Sequence, residues 1–133
     1  MGKEEQTPSE SEWAIMEILW SEDRAMTSKE VISRLQGKSS MTSKMVRVLM
    51  NRLCEKGILS YTVDPNDKRV YHYSVMKSKE DCLREKSRRF AESYFSGSRT
   101  NMAAALLQSF DLSDQEIREL EEILENSKGR KKE

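Results

Sequence analysis

Apolar positions in the middle of the chain follow two different rhythms. After Thr42, Val46, Leu49, Met50 and Leu53 stand at i, i+3, i+4 and i+7, a single stripe along one side of a helix. Lys44, Val48, Asn51 and Glu55 fall on the opposite face, with Met45, Arg47 and Arg52 on the flanks. Thr42 supplies an N-cap hydroxyl, and Gly57, just after Lys56, suits the left-handed residue that ends a helix. From Leu59 the period drops to two. Leu59, Tyr61 and Val63 alternate with Ser60, Thr62 and Asp64; past Asp64-Pro65-Asn66-Asp67-Lys68, Tyr71, Tyr73 and Val75 alternate with His72 and Ser74. The pattern predicts a helix, a break and an antiparallel hairpin tipped by Lys68 and Arg69.

The flanking segments are helical. Ser9 with Glu12 makes a capping box ahead of Trp13, Ile15, Met16, Ile18, Leu19 and Trp20. A break is expected over Ser21-Glu22-Asp23-Arg24, then a second box, Thr27 with Glu30, opens a helix carrying Val31, Ile32 and Leu35 inward. Gly37, Ser39 and Ser40 form the short turn before Thr42. Two helices joined by such a turn form a helix-turn-helix, and the basic-tipped hairpin behind them completes the order of a winged helix-turn-helix domain. In that arrangement the later helix enters the major groove with its N-terminal residues at base edges.

Beyond Val75, Ser78 caps a helix over Lys79 to Phe95 with Leu83, Phe90, Ala91 and Tyr94 on its apolar side. After Ser96-Gly97-Ser98, Met102, Ala103, Leu106, Leu107 and Phe110 outline another helix. Ser113 with Glu116, a third capping box, opens a helix with Ile117, Leu120, Ile123 and Leu124 on one side. Helices totalling roughly 50 residues bury too little surface to stand alone. Their stripes (Leu83, Phe90, Tyr94, Leu106, Leu107, Phe110, Ile117, Leu120, Leu124) need a partner. A fold-back onto the first domain is one solution; a second copy, giving a two-fold dimer with two DNA-reading heads, is favoured. The expected fold is mostly α with a small antiparallel hairpin. A winged helix-turn-helix domain spans 8–76 and a helical dimerisation domain 77–127, with mobile tails at 1–7 and 128–133.

Helix plus hairpin is common in small α+β domains, and spacing alone leaves DNA binding and ordinary solvated surface equally open. Charge changes that balance. The whole chain is neutral, with 23 basic and 23 acidic residues. From Arg34 to His72, however, eight basic side chains (Arg34, Lys38, Lys44, Arg47, Arg52, Lys56, Lys68, Arg69) face three acidic ones (Glu55, Asp64, Asp67), a local excess of five. Lys44, Met45, Arg47 and Val48 are therefore candidates for groove contacts with a double-stranded DNA operator. Ser43 and Arg52 are placed at phosphates, Thr42 is both cap and phosphate donor, and Lys68 and Arg69 are placed at the backbone or minor groove.

Other chemistries find no footing. The two cysteines, Cys54 and Cys82, form no C-x-x-C pair and no cluster with the single histidine, His72, so no metal site or cofactor is expected. There is no Gly-rich phosphate loop and no Ser/His or Cys/His arrangement, and Glu121-Glu122 reads as exposed helix charge, so no enzymatic activity is expected. The first residues lack the apolar core of a signal peptide, and no apolar run reaches membrane-spanning length, which points to a cytoplasmic protein without membrane insertion.

The same residues carry a resemblance. Glu12-Trp13 with Ile15-Met16-Glu17-Ile18-Leu19-Trp20 resembles the opening helix of the BlaI/MecI penicillinase-repressor family. Arg47-Val48-Leu49-Met50-Asn51-Arg52-Leu53 with Glu55-Lys56-Gly57 is similar to that family's recognition helix, and Asp111-Leu112-Ser113-Asp114-Gln115-Glu116-Ile117-Arg118-Glu119-Leu120 to its last helix. The likeness spans residues 8 to 126. It implies a winged-helix repressor, dimeric through its C-terminal helices, acting on a palindromic operator of β-lactam-resistance or other stress genes. It also implies release when a membrane sensor metalloprotease cuts the dimerisation region. This chain departs from the family at three places. Met45 and Val48 stand where the family often has threonines; both are apolar, which suits thymine methyls better than phosphates. The C-terminal metal motif of the copper-responsive branch is missing. The family's Asn–Phe cleavage bond has no counterpart between Asn101 and Phe110; Asn101–Met102 is the nearest likeness, several residues from the family's position. Two alternatives stay open. A ligand-responsive MarR-like regulator is suggested by the wing Asp64-Pro65-Asn66-Asp67-Lys68-Arg69, although that family places a dimerisation helix ahead of the DNA-binding domain. A winged-helix protein-interaction module is the other.

Overall fold

The computed structural model describes residues 6–130, with the side chain of Arg130 left out. Its elements in order are α1 (Glu10–Glu22), α2 (Ser28–Leu35), α3 (Ser43–Glu55), β1 (Leu59–Asp64), β2 (Asp67–Val75), α4 (Lys79–Phe95), α5 (Arg99–Ser109) and α6 (Asp114–Arg130). This is the expected mostly helical winged helix-turn-helix order. The chain forms two compact units that meet inside α4, the first ending at Ser87 and the second beginning at Arg88, where the sequence put the boundary at 76/77. The difference has a local cause. The Trp20 indole N–H of α1 donates to the Lys77 carbonyl (3.0 Å), and Lys79 pairs with Glu17 (3.1 Å), so the start of α4 is held on α1.

The first unit is built around the stripe of α3. Val46, Leu49, Met50 and Leu53 are buried against Ile15, Met16 and Leu19 of α1 and Val31 and Leu35 of α2. Burying four such side chains contributes on the order of 1.5–3 kcal/mol each. The capping boxes form as expected at Ser9/Glu12 and Thr27/Glu30. The hairpin register pairs Leu59 with Val75, Tyr61 with Tyr73 and Val63 with Tyr71, placing the predicted apolar positions on one face. Only the base of that face reaches the core: Leu59 and Tyr73 are buried, while Tyr61 and Val63 are exposed.

Three features were absent from the pattern reading. Met26 is fully buried and forms a bridge with Tyr73, its N–H donating to the Tyr73 carbonyl (3.0 Å) and its carbonyl accepting the Tyr73 N–H (2.8 Å). Ile58 is buried directly after Gly57, whose φ of +77° makes the left-handed turn. Glu12 is 1% exposed, and its carboxylate does two things. It accepts the Ser9 N–H (2.9 Å) that closes the first capping box and the Lys56 ammonium (2.7 Å) from the C-terminal end of α3.

Part of the tails expected from the sequence is described, and there the chain makes contacts or continues a helix. Thr7 is buried, because its carbonyl completes the shell of the Lys56 ammonium (3.1 Å), and the Gln6 carbonyl accepts from Lys77 (3.0 Å). At the other end α6 continues through Lys128, Gly129 and Arg130 rather than fraying before them. Residues 1–5 and 131–133 lie outside the described residues.

The second unit has little interior of its own. From Arg88 onward Ala91 is the single buried position among the described side chains. In α4 the residue turned inward within the first unit is Cys82, while Leu83, placed by its spacing on the apolar side of that helix, is exposed. Phe110 caps α5 in an extended conformation instead of extending it.

Removing Glu12 should be costly, because it leaves the Lys56 ammonium partly buried without its counter-ion and opens the α1 cap. Glu12→Ala is expected to lower unfolding free energy by about 3–5 kcal/mol, read from urea denaturation, with Glu12→Gln losing less because it keeps the cap acceptor.

Candidate nucleic-acid interface

Because one side of α3 is committed to the core, the other side is presented to solvent. Thr42 is its N-cap, the hydroxyl accepting the Met45 N–H (3.1 Å). Ser43, Lys44, Arg47, Asn51 and Arg52 are exposed, and so are two apolar side chains, Met45 at 49% and Val48 at 44%. The candidate residues of α3 thus share one open surface.

The charge count from the sequence is redistributed by the fold. Lys56 is diverted to Glu12 and Arg34 to Glu22, so both leave the basic patch. Among the described residues Lys44, Arg47, Arg52 and Lys68 take part in no ion pair. The patch is smaller than the sequence suggested and concentrated on the outer face of α3 and the wing.

The wing tip is ordered by its own polar groups. The Asp64 carboxylate accepts the Asn66 N–H (2.8 Å) and faces His72 Nε2 (2.8 Å); the His72 contact, then the Asn66 N–H, hold the Asp64 carboxyl below the usual carboxylate range. Asp67 accepts from the Arg69 guanidinium (3.1 Å) and backbone N–H (3.0 Å), and these two contacts hold its carboxyl low in the same way. Arg69 is thereby aimed along the strand while remaining 90% exposed at its side chain. Tyr61 and Tyr71 stack at 4.5 Å between ring centroids with an interplanar angle of 11°, stiffening the exposed half of the hairpin.

Between α3 and the wing lies a concavity of about 260 Å³. Arg47 and Asn51 line it from α3, Lys68, Arg69 and Tyr71 from the wing, and Ser28 from the first turn of α2. Sequence reasoning named Arg47, Lys68 and Arg69 but not Ser28, Asn51 or Tyr71. The Thr27/Glu30 box locates Ser28 at a helix start, yet only the Met26–Tyr73 bridge brings that start beside the wing.

The second unit presents its apolar residues to solvent. Phe90, Tyr94 (72% exposed), Leu106, Leu107, Phe110, Ile117 and Leu124 (63%) are exposed, Leu120 is half-buried, and in the first unit Leu83 is exposed as well. A groove of about 530 Å³ runs between α5 and α6, lined chiefly by Leu106, Leu107, Phe110, Leu120, Ile123 and Leu124. Asn101 and Met102 sit in the first turn of α5, where the Asn101 N–H donates to the Ser98 cap. A protease takes up extended chain, so cutting there requires that turn to unwind.

Among the described residues no three His, Cys, Asp or Glu side chains group as metal ligands, and no helix is long and apolar enough to cross a membrane. Burial raises the thiol pKa of both Cys54 and Cys82, which keeps them protonated and poorly nucleophilic.

A sequence profile of the penicillinase repressor family matches residues 8–126. The penicillinase repressor of Bacillus licheniformis is 31% identical over 125 residues, covering 94% of each chain. The methicillin resistance regulatory protein MecI of Staphylococcus aureus (strain N315) is 27% identical over 116 residues, covering 87% of this chain and 91% of the relative. Among solved structures, the solution structure of the DNA-binding domain of the repressor BlaI matches with a TM-score of 0.50 and 25% identity, covering 60% of this chain and 93% of that domain. A single-residue mutant of S. aureus MepR, bound to an oligodeoxyribonucleotide, shares the fold, with a TM-score of 0.50 and 18% identity over 92% of this chain and 78% of that one.

The Asp64 carboxyl is held low in the folded wing, so it stabilises the tip above the usual carboxylate range and loses that effect as pH falls through its lowered value. Amide exchange at Asn66, followed by NMR after intrinsic-rate correction, should show weakened protection on acidification, and Asp64→Asn should remove the carboxylate contribution to that pH dependence.

Proposed function

The chain belongs to the penicillinase repressor family and is a winged-helix transcriptional repressor; from this premise we propose that it acts as a two-fold dimer on a palindromic DNA operator. The observation that carries the DNA-facing half is the segregation of charge. Lys56 and Arg34 are taken up by Glu12 and Glu22, whereas Lys44, Arg47, Arg52 and Lys68 are left without an ion pair on the one face that also carries the wing.

Roles on that face follow from position. Lys44, Met45 and Val48, on the N-terminal half of α3, are assigned to base edges in the major groove. Thr42, Ser43 and Arg52 are assigned to phosphate. Helix position and local charge make Arg47 a groove-contact candidate in the sequence. Its place in the concavity beside Lys68 and Arg69 supports a backbone role instead, in which the three cations straddle a phosphate. DNA is the partner of this surface, and such a repressor works in the cytoplasm without a catalytic group.

The dimer rests on the second unit. A segment with one buried position and a row of exposed Phe, Tyr, Leu and Ile side chains has its interior still to be completed, and a second copy offers a self-complementary surface of the same composition. Two linked heads raise operator affinity through effective concentration.

Two measurements test this reading. In fluorescence anisotropy with operator and random duplexes, Arg47→Ala should weaken both by a similar factor and lower the salt slope by about one; a loss confined to the operator would return Arg47 to the base edges. Leu124→Asp, which puts a charge into the α5–α6 groove, should convert the dimer to monomer in sedimentation equilibrium and weaken operator binding at least tenfold, on the order of 1.4 kcal/mol. A variant that stays dimeric with full affinity would overturn the assignment of the groove.

A further inference from the structure

We propose that Met45 and Val48 act together as a methyl-reading pair that recognises the C5-methyl groups of thymines on neighbouring base pairs of each operator half-site. The inference rests on α3 being the groove helix and says which chemical feature of the groove it reads.

The two side chains have no folding role that explains them. The core of the first unit already holds the stripe of α3, and neither Met45 nor Val48 packs against it. Both lie close to half exposed, Val48 on the outer face of α3 and Met45 on its flank, among polar neighbours. Standing three residues apart, they project from the same side of the helix with their Cβ atoms about 5–6 Å from each other. Stacked base pairs rise by about 3.4 Å, so the pair spans adjacent or next-adjacent steps of a duplex.

Chemistry narrows what they meet there. A thioether and an isopropyl group offer no useful hydrogen bond. Pressed against the polar edge of guanine, adenine or cytosine, they strip water from donors and acceptors and replace it with nothing, which is unfavourable. The thymine methyl is the one apolar feature of the unmodified major groove, and burying it against Met45 or Val48 is favourable. The surroundings favour nucleic acid over a protein partner. The patch is two side chains wide, and Arg47 and Arg52 on the same helix, neither in an ion pair among the described residues, complement phosphates.

The test uses the full chain. Preferred sites are selected from a random duplex library, and each thymine of the selected half-site is then replaced singly by deoxyuridine, which removes the methyl and keeps every hydrogen-bonding group. One or two positions should lose affinity about fourfold each, the effect of uncovering one buried methyl. Met45→Ser and Val48→Ser, both at exposed positions and checked for unchanged thermal unfolding, should each abolish the uracil penalty at one position and leave the other intact. Selected sites that bind equally well with thymine or uracil throughout would overturn the pair while leaving the repressor reading in place. A uracil penalty that survives both serine variants would assign the methyl contact elsewhere and overturn it too. Failure to enrich any sequence would strike at the repressor reading and take this inference with it.

Discussion

The first unit depends on the contact between Glu12 and Lys56. It joins the N-terminal turn of α1 to the C-terminal end of α3, elements far apart in the chain, and does so almost out of water. A carboxylate that buried is tolerable only with its counter-ion and hydrogen bonds in place. Here the Ser9 N–H and the Lys56 ammonium supply them, and the ammonium in turn draws in the Thr7 carbonyl. The helix cap, the axial position of α3 and the course of the chain before α1 are thus set by one carboxylate. Apolar burial drives the packing of α1, α2 and α3, but a stripe of Val, Leu and Met is forgiving about sliding along its axis. A charged pair with one acceptable geometry is not.

The position of α3 decides what the protein offers to DNA. Once Val46, Leu49, Met50 and Leu53 are inside, Lys44, Met45, Val48 and Arg52 have no choice but to face out, and that outer face is the surface proposed to read the groove. The wing is tied to the same frame by the Met26–Tyr73 bridge, so the concavity beside Arg47 is bounded by elements that share one core. At the hairpin tip Asp64 and Asp67 each grip nearby groups, which orders the turn that carries Lys68 and Arg69.

The second unit obeys a different constraint. Its three helical segments are short and largely exposed, with Ala91 the one buried position among the described side chains, so little of their apolar surface is covered within one chain. In the proposed dimer, operator binding and subunit association share one consequence: a change that separates the α5–α6 surfaces also lowers the effective concentration of the second reading head.

Much of this was legible without coordinates, because local interactions write themselves into local spacing. The 3.6-residue stripe of α3, the period-two runs of the hairpin and the three capping boxes each involve residues within a few positions of one another, and each appears where the pattern put it. The outer face of α3, and hence Met45 and Val48, followed from the same periodicity. Long-range pairing left no such trace. Nothing in the spacing of Lys56 says that it will be spent on Glu12 instead of on phosphate, or that Met26 will bridge Tyr73 and bring Ser28 beside the wing. Nothing in it says that Cys82 will turn inward. Periodicity determines which side of an element is apolar; only the tertiary structure decides which charges meet across the core, because that depends on the relative placement of elements whose separation along the chain carries no signal.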